Sequence, residues 1–188
     1  MKFYTGIGSR NTPANILELM EDIAFKLAEK GWTLRSGGAK GADSAFEKGV
    51  IKYCNSVLDE YPNSSHSNIY IPWDSFRDSD ENNQDTTLCI KRKFIIKRAE
   101  EIASEIHPNW KACSRGAKAL HSRNVFQVLG HWDIDYPSKF VICWAPIVGT
   151  TVSGGTRTAV ELAKSRGIEV FNMADKKQLD RVVKLLDD

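Results

Sequence analysis

Three short turns that contain glycine hold the residues best suited to bind an anion. They span residues 6–10, 36–41 and 153–158, and each one leads into a segment with helical patterning. Glycine lets the backbone come close to a ligand and adopt a positive φ angle. The helix after such a turn offers unpaired N–H groups and the positive end of its dipole, which together favour an anion. The three turns therefore predict a site for the phosphate of a nucleotide or nucleic acid.

Charged side chains beside these turns support the same prediction. Arg10 could form a bidentate contact with a phosphate. Lys40 lies between glycines at a helix start, where its charge opposes the helix dipole unless an anion is present. Asp43 lies in the first turn of that helix, where the dipole stabilises a carboxylate without any ligand. For Asp43 a structural role and a functional one, as partner of a ribose hydroxyl or as a base, are both open. The residues predicted from the turns to bind the ligand are Gly6, Gly8, Ser9, Arg10, Ser36, Gly37, Gly38, Lys40, Gly41, Asp43, Ser153, Gly154, Gly155, Thr156 and Thr158.

Several common nucleotide-binding and catalytic motifs do not occur in the sequence. The first turn lacks the third glycine of the G-x-G-x-x-G fingerprint, which argues against NAD binding. There is no G-x-x-x-x-G-K-[ST] loop and no G-x-S-x-G nucleophile elbow. The histidines and cysteines are dispersed, without a zinc-binding spacing. We therefore expect neither a metal nor a cofactor.

Short apolar strands alternate with amphipathic helices along the chain. Strands are predicted at residues 2–5, 32–35, 67–71, 140–144 and 168–171. Helices are predicted at about residues 14–30, 42–53, 88–105, 111–129, 156–166 and 176–186. This alternation predicts an α/β fold of Rossmann-like type, with a mainly parallel sheet and helices on both faces. Ligands of such sheets bind beyond the carboxyl ends of the strands, where the glycine turns lie.

Length and composition indicate one ordinary domain over residues 1–188, with a polar insertion at about 72–87. The net charge of +2, from 26 Lys and Arg against 24 Asp and Glu, does not suggest a nonspecific nucleic-acid coat. A local basic groove is still compatible with it. No apolar stretch approaches the roughly 20 residues that span a bilayer, so no membrane partner is expected. The scattered cysteines and the lack of a signal peptide predict reduced thiols in a cytoplasmic protein.

The turns also resemble a known family. Residues 6–10 and 36–43 are similar to the two signature turns of the DNA-processing protein A family, and Arg123-Asn124, Ser153-Gly154 and residues 167–171 follow in that family's order. The match spans about residues 3–173. The resemblance implies a Rossmann-like domain that binds single-stranded DNA or a nucleotide, and it adds Arg123 and Asn124 to the ligand-binding residues. It also implies a recombinase as a protein partner, while the oligomeric state, a homodimer included, is open.

A second resemblance leaves an enzymatic alternative open. Residues 153–161 are similar to the Pro-Gly-Gly-x-Gly-Thr-x-x-Glu turn of the cytokinin-activating phosphoribohydrolases, which share the wider SLOG superfamily. This implies an N-glycosidase acting on nucleoside monophosphates, with Arg123 and Glu161 as catalytic residues. Ser153 stands where that turn has its proline, and Arg157 stands where it has its third glycine. Other SLOG domains recognise nucleotide signals, so a sensor or sequestering protein is a third alternative.

Overall fold

The computed structural model describes residues 2–57, 66–77, 87–131 and 136–187. The strands are β1 Lys2–Gly8, β2 Trp32–Ser36, β3 Ser67–Ile71, β4 Thr87–Cys89, β5 Phe140–Trp144, β6 Ile147–Val148, β7 Thr151–Val152 and β8 Glu169–Asn172. The α-helices are α1 Ala14–Glu29, α2 Ala42–Ser56, α3 Lys93–Ile106, α4 Arg115–Leu129, α5 Arg157–Ser165 and α6 Lys176–Asp187. Two short 3-10 helices cover Asp74–Arg77 and Trp110–Ala112.

The main sheet has six strands in the described residues, in the order β4-β3-β2-β1-β5-β8. Every ladder of this sheet is parallel. Strands β2, β3 and β4 lie in sequence on one side of β1, whereas β5 and β8 lie on the other side. This reversal opens a crevice between the carboxyl ends of β1 and β5, the usual place for a ligand in open α/β sheets. The predicted parallel α/β fold is confirmed.

Helices cover both faces of the sheet, and each face has its own hydrophobic core. The core beneath α1, α2 and α6 includes the fully buried Tyr4 and Phe46. The core beneath α3, α4 and α5 includes Val125 and Leu129. Across the described ranges, none of the helices has the length and apolar character needed to cross a bilayer.

β5 shows why one apolar run serves both cores. Successive side chains of a strand point to opposite sides of the sheet. Val141 and Cys143 accordingly join the core under α4, while Ile142 joins the core under α1 and α2. The continuous apolar pattern of residues 140–144 is therefore that of a central strand buried on both faces.

The helix predicted over residues 88–105 is wrong at its beginning. Thr87–Cys89 forms β4, which pairs with β3 from Ile69 to Ile71, and α3 starts only at Lys93. A strand of three half-buried residues is too short to show the alternating pattern that identifies a strand. Its pairing with β3 determines its conformation.

The predicted polar insertion at 72–87 lies largely outside the described residues, which omit 78–86. Its first part, Asp74–Arg77, is a 3-10 helix joined to α2 by a buried ion pair. Arg77 donates to both carboxylate oxygens of Glu47, at 3.0 and 2.9 Å. Both side chains are almost completely buried, so this segment is held firmly against α2.

The crossing of α1 and α2 depends on a glycine. A Cβ at Gly49 would lie 2.0 Å from the carbonyl oxygen of Glu21 and 2.8 Å from the Cβ of Ala24. Because one of these atoms belongs to the backbone of α1, the helices would have to separate to accept a side chain.

We therefore expect Gly49→Ala to lower the free energy of unfolding by about 1–3 kcal/mol, the usual cost of overpacking. Gly116→Ala in α4 is the matched control, because a Cβ there meets open space. It should stabilise the protein by about 0.5–1 kcal/mol, since alanine favours a helix over glycine. Urea unfolding of both variants measures the difference. Equal stabilisation by the two substitutions would contradict the close helix contact.

Candidate functional site

A cavity of about 420 Å³ lies at the reversal of the strand order. We call it the switch-point cavity. Its wall is formed by the end of β1 with the first turn, the start of α2, one face of α4 and the third turn. The predicted ligand-binding residues that it brings together are Gly8, Ser9, Arg10, Asp43, Arg123, Asn124, Ser153, Gly154, Gly155 and Thr156.

The first turn is held against the end of β5. The Ser9 N–H donates to the carbonyl oxygen of Trp144 at 2.9 Å. A Cβ at Gly8 would lie 2.7 Å from that same carbonyl oxygen and 2.7 Å from the Cβ of Ala42. Only glycine fits between these two elements, so Gly8 sets how closely the β1 end approaches both β5 and α2.

Asp43 is a buried carboxylate, with 4% of its surface exposed, at the point where three elements meet. It accepts hydrogen bonds from the Gly8 N–H at 3.3 Å and from the Ala39 N–H at 3.4 Å. Its Oδ2 also lies 3.5 Å from Nη1 of Arg123 on α4. Burial raises the pKa of the Asp43 carboxyl above its ordinary value, while Arg123 and the two N–H donors oppose that shift. Asp43 therefore connects the first turn, the second turn and α4.

Arg123 keeps donor capacity beyond this ion pair. Its Nη1 donates to the carbonyl oxygen of Gly37 at 2.6 Å. Among the described residues its buried Nε has no hydrogen-bond partner. Burial lowers the pKa of the guanidinium, and the charge of Asp43 opposes that shift. A guanidinium has five N–H donors, and Arg123 brings this positively charged group into the cavity wall.

The third turn exposes its backbone. Gly154 has φ +78°, and a Cβ at Gly154 or Gly155 would meet nothing within 4 Å. The carbonyl oxygen of Gly155 accepts a hydrogen bond from Nδ2 of Asn124 at 2.8 Å, which fixes the turn to α4. Thr156, the N-cap residue of α5, makes no side-chain capping hydrogen bond. The Arg157 N–H donates to the Gly154 carbonyl oxygen at 3.2 Å, so the N–H groups of α5 that Thr156 leaves without a side-chain cap are those after Arg157.

The second turn differs, because the protein satisfies the start of α2 internally. The Ala42 N–H donates to the Ser9 carbonyl oxygen at 3.3 Å, and the Ser44 N–H donates to that of Ala39 at 3.1 Å. Asp43 adds an acidic group in the first helical turn. The second turn therefore shapes the site. What distinguishes the third turn is that the first helical turn after it carries no acidic side chain.

Other predicted ligand-binding residues lie outside the cavity wall. Four of them are buried where the first and second turns leave β1 and β2: Gly6, Ser36, Gly37 and Gly38. The Ser36 hydroxyl donates to the Gly6 carbonyl oxygen at 2.6 Å. Gly41, at φ +90°, packs against the backbone of the first turn. Lys40 is exposed beside it.

The predicted catalytic pair is not brought together in the cavity. Arg123 lies in its wall, but Glu161 does not. The Glu161 carboxylate accepts hydrogen bonds from the Thr151 hydroxyl at 2.7 Å and from Lys164 at 3.2 Å. Thr158 also lies outside the wall, and its hydroxyl is 2.9 Å from Nδ1 of His121.

Sequence reasoning missed the rest of the α4 wall. Leu120, His121 and Gln127 line the cavity together with Arg123 and Asn124. Residues three and four positions apart share a helix face. Once Arg123 and Asn124 are placed on a helix, that spacing is the signal that identifies the others.

Removal of the Asp43 charge should destabilise the fold, because Arg123 would be left as a buried cation without its ionic partner. We expect Asp43→Asn to lower the free energy of unfolding by about 3–5 kcal/mol. The matched control is Glu169→Gln, which breaks the exposed pair with Arg181 and should cost no more than about 1 kcal/mol. Urea unfolding at neutral pH measures both. Similar small losses in the two variants would contradict the anchoring role of Asp43.

One solved structure is similar to this chain. No family model and no curated protein matches the sequence. The fold is similar to that of DNA processing protein A from Helicobacter pylori, whose structure was reported for its mode of binding single-stranded DNA. That similarity covers 100% of this chain and 81% of that chain, with 14% sequence identity and a TM-score of 0.44.

Proposed function

We propose that this chain binds single-stranded DNA by holding a backbone phosphate in the switch-point cavity. The observation that carries the proposal is the third turn, because its open glycine backbone and Thr156, the N-cap residue of α5, line the same cavity as Arg10 and Arg123. Backbone N–H groups at a helix start, together with guanidinium donors, form a site that suits a phosphate oxygen.

The charges of the wall favour an anion. Arg10 and Arg123 contribute two cations, against the single carboxylate of Asp43. That carboxylate is already paired with Arg123 and with two backbone N–H groups. The positive end of the α5 dipole adds to the cationic side. A phosphate entering the cavity would therefore meet a net positive potential.

Exposed cations continue beyond the cavity, which supports a polymer as the ligand. Lys40 follows the second turn and Arg157 follows the third, and both are exposed. The phosphates on either side of a bound one can reach such side chains, whereas a mononucleotide cannot use them all. Single-stranded DNA is also one of the two ligands, with a nucleotide, that the resemblance of the turns to DNA-processing protein A suggests.

The geometry supports binding better than hydrolysis. A glycosidase would need a free carboxylate beside the bound sugar. Glu161 lies outside the cavity wall, and its Oε1 accepts from both Thr151 and Lys164. The Asp43 carboxylate in the wall is already paired with Arg123 and with two backbone N–H groups. Nothing in the described residues favours the N-glycosidase alternative over binding.

The test is fluorescence anisotropy with labelled oligothymidylate at several salt concentrations. Arg10→Ala should weaken binding by about 10-fold or more, because a hydrogen bond to a charged group contributes about 1.5–3 kcal/mol. It should also reduce the slope of log affinity against log salt by about 0.7, the value for one lost single-strand phosphate contact. Arg166→Ala is the matched control, since this exposed arginine lies at the opposite end of α5. The affinity of this variant for the oligonucleotide should be unchanged.

Three outcomes would count against the proposal. Equal affinity of the Arg10→Ala variant and the wild type would place DNA elsewhere on the protein. Complete competition by thymidine monophosphate, with little salt dependence and no preference for length, would indicate a nucleotide pocket. Release of free base from a nucleoside monophosphate, lost in Glu161→Gln, would establish the glycosidase function instead.

A further inference from the structure

Two histidines and a cysteine converge where α3 connects to α4. His107 follows α3, Cys113 follows the 3-10 helix Trp110–Ala112, and His121 lies in the second turn of α4. One ligand atom from each side chain lies within 4.8 Å of the others. The rings of His107 and His121 are in contact, with centroids 4.3 Å apart. Dispersed in the sequence, these three residues form one compact cluster in the fold.

The distances within the cluster suit a tetrahedral metal ion. Zinc binds cysteine sulfur at about 2.3 Å and histidine nitrogen at about 2.0–2.1 Å, so a tetrahedral site separates the two ligand atoms by about 3.6 Å. The Cys113 Sγ lies 3.7 Å from Nδ1 of His107 and 3.9 Å from its Nε2. Small side-chain rotations would therefore complete the coordination.

His121 is oriented as a metal ligand usually is. Its Nδ1 lies 2.9 Å from the hydroxyl of Thr158 on α5. If Nδ1–H donates to that hydroxyl, the lone pair on Nε2 is left for a metal, and such partners fix the ring of most ligating histidines.

The hydrogen bonds that His107 and Cys113 make with Asn109, and would lose on binding a metal, are weak. Nδ1 of His107 accepts a hydrogen bond from the exposed Asn109 N–H at 3.2 Å, and the Cys113 thiol donates to the Asn109 carbonyl oxygen at 3.5 Å. A neutral hydrogen bond contributes little to stability, whereas thiolate and imidazole ligands bind a metal ion strongly. The exchange therefore favours the metal.

We propose that His107, Cys113 and His121 bind a zinc-class transition-metal ion, with Thr158 as the positioning residue for His121. Thiolate and imidazole ligands together select zinc and related ions over magnesium or calcium. Three protein ligands leave the fourth tetrahedral position to water or to an incoming ligand atom. Because His121 also lines the switch-point cavity, the ion lies at the edge of that cavity. This site does not depend on the proposed DNA binding.

The test is titration of the reduced, chelator-treated full-length protein with Co²⁺, followed by competition with Zn²⁺. Cobalt bound by a thiolate shows a charge-transfer band in addition to its visible ligand-field bands. We expect one equivalent to bind with that band, and Zn²⁺ to displace it. Cys113→Ser should abolish the band and weaken Zn²⁺ binding at least 10-fold. Cys54→Ser, a half-buried cysteine in α2, is the matched control and should leave both unchanged.

Two further variants separate ligation from structure. His107→Gln should remove most of the affinity while the circular dichroism spectrum stays native. Thr158→Val should keep the charge-transfer band but weaken Zn²⁺ binding about 10–100-fold, as expected for a group that orients a ligand. Binding below one equivalent, or a band that persists in Cys113→Ser, would overturn the site. Wild-type affinity in Thr158→Val would overturn the role assigned to Thr158.

Discussion

The buried pair of Asp43 and Arg123 joins the parts of the molecule that form the cavity. Each charge loses its hydration on burial, and neither could be tolerated alone. The N–H groups of Gly8 and Ala39 satisfy the carboxylate, and the Gly37 carbonyl oxygen satisfies part of the guanidinium. These contacts fix the first turn, the second turn and α4 relative to one another. The shape of the cavity follows from that constraint.

The three glycine turns consequently do different work. Near the second turn, Asp43 supplies the negative charge that a ligand would otherwise bring, and the N–H groups that begin α2 find partners inside the protein. Within the described ranges, the first turn of α5 carries no acidic side chain, and the glycines of the third turn meet open space. Under the proposed function, the third turn is therefore the place for the external anion. Arg123 belongs to both arrangements, because it pairs with Asp43 and lines the cavity.

Much of the fold could be predicted because its signals are local. The predicted strands at residues 67–71 and 140–144 have the bounds that the structure gives. The second is a continuous apolar run, and Pro72 follows directly after the first. β4 could not be predicted from the sequence, because three residues are too few to show a periodic pattern. They form a strand only because they pair with β3. In the candidate site, Arg10 and Gly154 were identified from their turns in the sequence, and both line the cavity. Gln127 and His121 carry no motif of their own, and they reach the cavity only through the face that α4 presents.

The sequence by itself determined the α/β class and the positions of the turns, because hydrophobic period and glycine placement act over a few residues. Only the tertiary structure decided which of the three turns has its glycine backbone exposed at the cavity. That choice depends on Asp43 meeting Gly8 and Arg123, which are far apart in the chain. The cluster of His107, Cys113 and His121 was decided in the same way. Its spacing matches no zinc motif, and its ligand atoms meet because the connection from α3 folds back onto α4 and α5, a result of packing that no short stretch of residues encodes.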